Sequence, residues 1–142
     1  MSNSYNKAHI YLHIIAVVKD KQPLLAKTVR HVMLAQLDKA ASQKAVQLIK
    51  AGGVEDHLHF LLQLHPMQSA TQVVKLLKEE VASWVNENKL LKEVFEWEEG
   101  ATIYSVSPTS VDKVIEYISK QENYHTAKTL AEELDIFEKA IQ

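Results

Sequence analysis

Two apolar segments restrict the fold of this chain more than any other feature. "HIYLHIIAVV" (9–18) is aliphatic and β-branched on both faces, and "HLHFLLQL" (57–64) is the most apolar strand-like stretch. Such segments are typical of strands at the centre of a sheet, where both faces are covered. We therefore predict a core that is built around a sheet containing both segments.

The other elements are predicted from apolar periodicity, from capping-box spacing at Ser69 and Gln72, and from the Gly52-Gly53 turn signal before the histidine strand. In chain order they are a helix, a strand, a helix, a strand and two helices: 23–41, 43–54, 69–89, 101–107, 110–125 and 127–140. The resulting β-α-β-β-α-β order predicts an α+β fold, a ferredoxin-like βαββαβ antiparallel sheet with helices on one face.

Composition narrows the class of protein. With 142 residues and no internal repeat or linker, the whole chain (1–142) is expected to be a single domain. Cysteine is absent, which excludes disulfides and thiolate metal sites.

The N-terminus lacks the features of a signal peptide, and no apolar run is long enough to span a bilayer, so we expect no membrane association and a cytoplasmic location. Lys and Arg number 16 against 18 Asp and Glu, which is unusual for a protein that binds long duplex DNA.

The histidine strand carries the first candidate site. Residues two apart on a strand point to the same face, so His57 and His59 present their imidazoles together, with Leu58 on the other face. Paired imidazoles suit a divalent cation, and Asp56 and Glu55 are placed to fix the ring tautomers. The alternative is a pair of half-buried histidines satisfied by backbone groups. His13 on the first strand is expected to be a packed sheet position rather than a ligand.

A second candidate site lies on the helix predicted over 110–125. Tyr117 and Gln121 are four residues apart, so they share one flank of that helix, away from the centre of its apolar stripe. A tyrosine hydroxyl and an amide oxygen in this arrangement can reach one metal site together, and oxygen donors suit hard ions such as Mg²⁺. The alternative is a tyrosine at the rim of the core and a solvated glutamine.

Together these elements resemble the single-tyrosine HUH transposases of the insertion-sequence 200/605 group, including their REP-associated relatives. His57-Leu58-His59 matches the HUH motif, and "YISKQ" places Tyr117 and Gln121 at the spacing of the tyrosine motif. Further similar segments cover most of the chain: "HIYLHIIAVVK", "AGGVEDHLHFLLQL", "FEWEEGATIYSVSPTSVDKVIEYISKQENYH" and the "EEL" beyond them.

The resemblance implies a function that the residues suit. Tyr117 would be the nucleophile on single-stranded DNA with hairpin ends, forming a 5′-phosphotyrosine and freeing a 3′-OH. His57, His59 and Gln121 would hold Mg²⁺ or Mn²⁺. The tyrosine would lie on a C-terminal catalytic helix, and the family implies a homodimer in which that helix completes the active site of the partner subunit, in trans.

Two other functions are compatible with the sequence. An inactive or domesticated dimer would bind single-stranded or hairpin DNA without cutting it, which suits the acidic composition. A metal-dependent hydrolase would use His57, His59 and His65 and form no protein–DNA adduct, although His65 stands before Pro66 and is expected in a loop. Tyr124 is the competing candidate for the nucleophile, but only Tyr117 precedes a glutamine by four residues.

Overall fold

The computed structural model describes residues 7–121 and 129–140. Its strands and helices follow one another in the predicted order: β1 (Ile10–Val17), α1 (Lys27–Gln43), β2 (Gln47–Gly53), β3 (His57–Leu64), α2 (Ala70–Glu87), β4 (Thr102–Val106), α3 (Val111–Ser119) and α4 (Leu130–Ala140). Within this part of the chain no helix is both long enough and apolar enough to cross a membrane.

The four strands form one antiparallel sheet in the order β2-β3-β1-β4. The two apolar segments thus lie at its centre, as predicted, because each is covered on both faces and pairs with a neighbour on both edges. With one helix between β1 and β2 and another between β3 and β4, this is the ferredoxin-like arrangement, and the predicted fold class is confirmed.

One face of the sheet packs against α1 and α2 and forms the main core. It receives alternate residues of β1 and β3, including Ile14, Leu58 and Phe60, all almost fully buried. Helix α2 begins as the sequence indicates, because the Ser69 hydroxyl accepts a hydrogen bond from the backbone N–H of Gln72 at 3.4 Å. Burying this face supplies the main apolar contribution to stability.

The opposite face of the sheet carries α3 and α4. Helix α3 packs on β2 and β3, and its Ile118 is buried while the rest of its apolar stripe is only half-buried. Residues of β1 and β3 that alternate with the core positions point to this face, and they include His13, His57 and His59. The candidate site residues therefore lie between the sheet and the two C-terminal helices.

The glycine pair has a different role from the predicted turn. Gly52 and Gly53 both belong to β2, and the connection to β3 follows them. A Cβ atom on Gly52 would lie 2.8 Å from the backbone oxygen of Ile118, closer than side chains tolerate. Glycine is therefore required at this position because the backbone of α3 approaches the strand so closely. Gly52 thus allows α3, the helix that carries Tyr117, to pack against the sheet.

We expect Gly52→Ala to fold but to displace α3. The added methyl group would push Ile118 outward, and with it the neighbouring Tyr117, so the activity that the resemblance implies should fall by about 100-fold, the cost of a displacement near 1 Å. Unfolding free energy should fall by about 1–3 kcal/mol. Activity and chemical denaturation, measured together, check both. Val73→Ala, a core truncation on the other face of the sheet, is the matched control, and an equal loss of activity there would attribute the effect to stability alone.

Candidate active site

The two histidines of the HUH motif lie side by side at the start of β3. Both are fully buried, and Leu58 between them points into the core on the other face, as the strand periodicity predicts. Their ring centroids are 5.0 Å apart. In the register of the sheet His57 and His59 lie opposite Val17 and Ile15 of β1, at the covered centre of the sheet. Burial of two imidazoles in such a place is costly unless they have polar partners.

Glu133 of α4 is such a partner, and it was not among the predicted site residues. One of its carboxylate oxygens lies 3.3 Å from His57 Nε2, and the other lies 3.3 Å from His59 Nε2. The side chain of Glu133 is completely buried. A buried carboxylate that faces two imidazole nitrogens is the arrangement expected of a metal site, since a lone buried charge is otherwise strongly unfavourable.

The start of α4 places Glu133. Thr129 and Glu132 form a capping box, in which the backbone N–H of Glu132 donates to Thr129 Oγ1 at 3.2 Å and the N–H of Thr129 donates to Glu132 Oε1 at 3.0 Å. The neighbouring Leu130 is buried, which anchors the first turn against the protein. The cap and this apolar contact fix the first turn and aim Glu133 at the histidines.

Gln121 joins the same cluster from the end of the tyrosine segment. It is buried rather than solvated, and its Nε2 donates to Glu133 Oε2 at 3.2 Å. Because a carboxylate only accepts hydrogen bonds, the nitrogen of this amide must face Glu133. Its oxygen is buried and accepts no hydrogen bond within the described part of the chain. An oxygen left in this way is suited to a cation.

The residues present fit a divalent cation. One ligand atom from each of His57, His59 and Glu133 can be chosen so that all three lie within 4.8 Å of one another. Two imidazole nitrogens and a carboxylate oxygen suit Mn²⁺ and Mg²⁺ better than imidazoles alone, and the amide oxygen of Gln121, whose nitrogen contacts Glu133, would add a further oxygen donor. The structure thus brings together all three predicted metal ligands and adds a carboxylate.

Each histidine of the motif has a different partner behind it. His57 Nδ1 lies 2.7 Å from Asp56 Oδ1, the orienting contact that the sequence predicts. His59 Nδ1 lies 2.8 Å from Nε2 of His13 on β1. His13 is therefore a packed sheet residue and not a member of the metal cluster, as expected, but its contact with His59 was missed.

The candidate nucleophile lies against this cluster. The ring of Tyr117 meets the ring of His59 edge-on, with centroids 5.5 Å apart, and the ring of His13 at 6.0 Å. The residue is half-buried, and its hydroxyl oxygen is buried. Tyr117 and His59 belong to the same chain here, so one chain supplies the nucleophile and the metal ligands together. Completion of the site in trans, which the resemblance implies, stays a prediction.

The competing candidates are not brought to the site. His65 follows β3 as an exposed loop residue, and its Nδ1 accepts a hydrogen bond from the backbone N–H of Met67 at 3.0 Å. It lies beyond the opposite end of β3 from His57 and is not a member of the metal cluster. The hydrolase that would use His65 therefore gains no support. Tyr124 lies outside the described residues.

Burial and hydrogen bonds shift the pKa values of three residues of the site. Burial would lower the pKa of His57, but hydrogen bonds with Asp56 and Glu133 outweigh it and raise that pKa above its ordinary value of 6.5. Burial would raise the pKa of Glu133, yet hydrogen bonds with His57 and His59 hold it below its ordinary value of 4.5. Burial, reinforced by His59, lowers the pKa of His13 to about 3. His57 and Glu133 thus form an ion pair, next to a neutral His13.

These shifts predict opposite pH dependences for the metal-free and metal-bound protein. The stability that Glu133 contributes is fully present above its ordinary pKa of 4.5 and is lost as pH falls through its lowered pKa in the folded protein. The stability that His57 contributes is fully present below its ordinary pKa of 6.5 and is lost as pH rises through its raised pKa in the folded protein. Stabilisation by this pair should therefore be greatest between about pH 4.5 and 6.5. A bound cation requires neutral His57, so metal affinity should increase as pH rises through the raised pKa.

Thermal melts with and without Mn²⁺ between pH 5.5 and 8.5 measure both effects. We expect the increase in Tm caused by the metal to grow with pH. Asp56→Asn, which removes a hydrogen bond that raises the pKa of His57, should shift this growth to lower pH. A metal-induced change in Tm that does not vary with pH would contradict the assignment of His57 as a ligand.

Comparison with known proteins identifies the family. The profile of the family described as "Transposase IS200 like" matches residues 6–121, which include the HUH motif, Tyr117 and Gln121. The chain belongs to this family. The resemblance found in the sequence is therefore confirmed, and the protein is an IS200-like transposase, a DNA-cleaving enzyme. No curated protein shows significant similarity to it.

Two solved structures share the fold. A candidate transposase from Deinococcus radiodurans has a TM-score of 0.69 and 21% sequence identity, over 85% of this chain and 97% of that one. A REP-associated tyrosine transposase bound to a REP hairpin has a TM-score of 0.62 and 12% identity, over 88% of this chain and 74% of that one. Residues 129–140 lie beyond the family match, so Glu133 is supplied by a segment that the match does not include.

Proposed function

We propose that this transposase is a metal-dependent DNA strand transferase that cleaves and rejoins single-stranded DNA through a 5′-phosphotyrosine at Tyr117. The observation that carries the proposal is the position of the Tyr117 ring, 5.5 Å from the ring of His59 and thus beside the cluster of His57, His59 and Glu133. A nucleophile next to a set of cation ligands is the arrangement that phosphoryl transfer requires.

The covalent step is an exchange of one phosphodiester for another. The Tyr117 hydroxyl gives up its proton and its oxygen attacks the scissile phosphorus. The bond from phosphorus to the 3′ oxygen breaks, and that oxygen takes up a proton and leaves as a hydroxyl, so no proton is gained or lost overall. A free 3′-OH later attacks the phosphotyrosine and releases the tyrosine. Each step conserves the number of ester bonds, so strands are rejoined without an external source of energy.

Each residue of the cluster has a separate role in this proposal. His57, His59, Glu133 and the oxygen of Gln121 would hold Mg²⁺ or Mn²⁺. When bound, the ion supplies charge that polarises a phosphate oxygen and offsets the negative charge that develops there. Asp56 orients His57, and Glu133 fixes the amide of Gln121 by accepting a hydrogen bond from its Nε2. The rings of His59 and His13 restrict where the ring of Tyr117 can lie.

The proposed substrate is single-stranded DNA with hairpin ends. It is supported by the shared fold with the tyrosine transposase that was solved with a REP hairpin. The single arginine of the chain is not a surface contact for DNA, because Arg30 is 5% exposed and its Nη1 donates to the backbone oxygen of Leu25 at 2.8 Å. Phosphate contacts would therefore depend on lysines, which bind phosphate as point charges and not through a bidentate guanidinium. We place this activity in the cytoplasm.

The experiment that tests the proposal is covalent capture. The protein is incubated with labelled single-stranded DNA from the flanks of its own gene, with Mn²⁺ or with a chelator, and separated on a denaturing gel. We expect a metal-dependent adduct, and mass spectrometry should locate the nucleotide on the peptide that contains Tyr117. A shift in a native gel without any adduct would instead favour the inactive or domesticated dimer that binds hairpin DNA.

The homodimer, with its active sites completed in trans, can be tested by mixing two inactive variants. A site completed in trans predicts that a mixture of Tyr117→Phe and His59→Ala forms adduct, whereas a site within one chain, with Tyr117 beside its own His59, predicts none. Recovery of adduct in the mixture would show that the tyrosine helix is exchanged between subunits, as the resemblance implies. Sedimentation of the wild-type protein, measured alongside, reports whether a dimer forms.

A further inference from the structure

We propose that His13 is a positioning residue that fixes the tautomer of His59 and so makes His59 Nε2 available to the cation. The inference rests on the proposed metal site. Nothing in the HUH motif or the tyrosine motif includes His13, which lies on the first strand, 46 positions before His59.

The geometry of the two rings carries the inference. His13 Nε2 lies 2.8 Å from His59 Nδ1, with the ring centroids 5.0 Å apart and the ring planes 30° from parallel, so the two nitrogens face each other. His13 is 2% exposed and His59 is fully buried, so water does not compete for this contact. In the sheet His59 pairs with Ile15, which places His13 diagonally across from it on the same face.

Proton positions follow from these contacts. His59 Nε2 faces Glu133 and can bind a cation only through its lone pair, so the proton of a neutral His59 ring must be on Nδ1. Nδ1 then donates to His13, whose Nε2 must accept, and the proton of a neutral His13 is left on its own Nδ1. The structure therefore permits one combination of tautomers when His59 acts as a ligand.

The two ligand histidines are thus oriented by different chemistry. His57 is held by the carboxylate of Asp56, whereas His59 is held by a neutral ring that is itself buried. A neutral acceptor attracts the shared proton less strongly than a carboxylate does. The His59 ring should therefore be a weaker electron donor to the cation than the His57 ring. Loss of His13 would remove the acceptor for the Nδ1 proton and so favour the other tautomer, in which Nε2 donates to Glu133 and cannot bind the ion.

Two variants of similar size separate positioning from packing. His13→Gln retains an acceptor that can reach His59 Nδ1, whereas His13→Leu fills the space without one. Titration of the metal-free proteins with Mn²⁺ should show affinity 10- to 100-fold weaker for His13→Leu, and within about threefold of wild type for His13→Gln. Equal affinity of His13→Leu and wild type, or equal losses in the two variants, would overturn the inference.

A spectroscopic signature does not depend on either variant. Long-range ¹⁵N–¹H correlation of the wild-type protein saturated with Mg²⁺, which is diamagnetic, should show His59 protonated on Nδ1. A wild-type ring protonated on Nε2 would overturn the inference even if His13→Leu failed to fold. If the wild type bound the cation but His59 carried its proton on Nε2, only the role of His13 would fail. If the wild type bound no cation, the proposed metal site itself would fail.

Discussion

Replacing Tyr117 with phenylalanine is expected to abolish covalent attachment to DNA while leaving DNA binding nearly unchanged. The substitution removes one oxygen atom and keeps the ring, so the edge-on contacts with His59 and His13 are retained. Without a hydroxyl no phosphotyrosine can form, and adduct formation should fall by at least about 10³-fold. Covalent capture on a denaturing gel and a native gel shift, performed on the same samples, measure the two properties separately.

Tyr104→Phe is the matched control for this substitution. Tyr104 also lies near His13, with ring centroids 6.2 Å apart, but its hydroxyl donates to Glu138 at 3.2 Å and does not take part in the proposed chemistry. This variant should form the adduct at close to the wild-type rate. Adduct that persisted in Tyr117→Phe would transfer the nucleophile role to another residue, and Tyr124→Phe would then identify it or exclude it.

The sheet could be predicted because its strands obey local rules. The apolar segments containing Ile14 and Phe60 have the composition of central strands, and the short chain leaves few ways to connect them. Glycine was harder to interpret, since Gly52 reads as a turn residue in sequence although its function is to admit the backbone of α3. A close approach between elements that are distant in the sequence leaves no local signal.

The site was predictable only where its residues form motifs. Strand periodicity relates His57 to His59, and helix periodicity relates Tyr117 to Gln121, so the sequence alone indicates each pair. Glu133 belongs to neither pair, and its signals in the sequence are the Thr129 capping box and the "EEL" segment of the resemblance, neither of which assigns it a role. His13 was missed because its contact with His59 depends on the register of β1 against β3.

Burial itself distinguishes the site from the remainder of the molecule. Five polar side chains converge in one place with very low exposure: His13, His57, His59, Gln121 and Glu133. Apolar residues of similar volume would stabilise this region at least as well, because transfer of such groups from water is costly. The five polar side chains are therefore better explained by chemistry than by stability. Removing one of them should reduce activity more than it reduces the free energy of unfolding.

Glu133→Gln provides the sharpest test of that argument. The change keeps the shape of the side chain and removes its charge. Above the raised pKa of His57, where the ion pair is already lost, the metal-free protein should fold with little change in unfolding free energy, whereas below that pKa the loss of the pair should be destabilising. Loss of partners behind metal ligands already weakens metal binding by about 10- to 100-fold, so loss of the ligand itself should weaken it by more than about 100-fold. Covalent capture with Mn²⁺ should fall in parallel.

Thermal stabilisation by Mn²⁺ separates this effect from misfolding. At a concentration 100 times its Kd, a ligand adds about 2.7 kcal/mol, which corresponds to roughly 5–10 °C in Tm for a domain of this size. The wild-type protein should show this increase and Glu133→Gln should not. Glu132→Gln changes the preceding exposed residue of the same helix and should behave as wild type, because a neutral amide oxygen can still accept at the cap. If Mn²⁺ stabilised Glu133→Gln fully, the cation would be held by the histidines and Gln121 alone, and Glu133 would serve only to orient them.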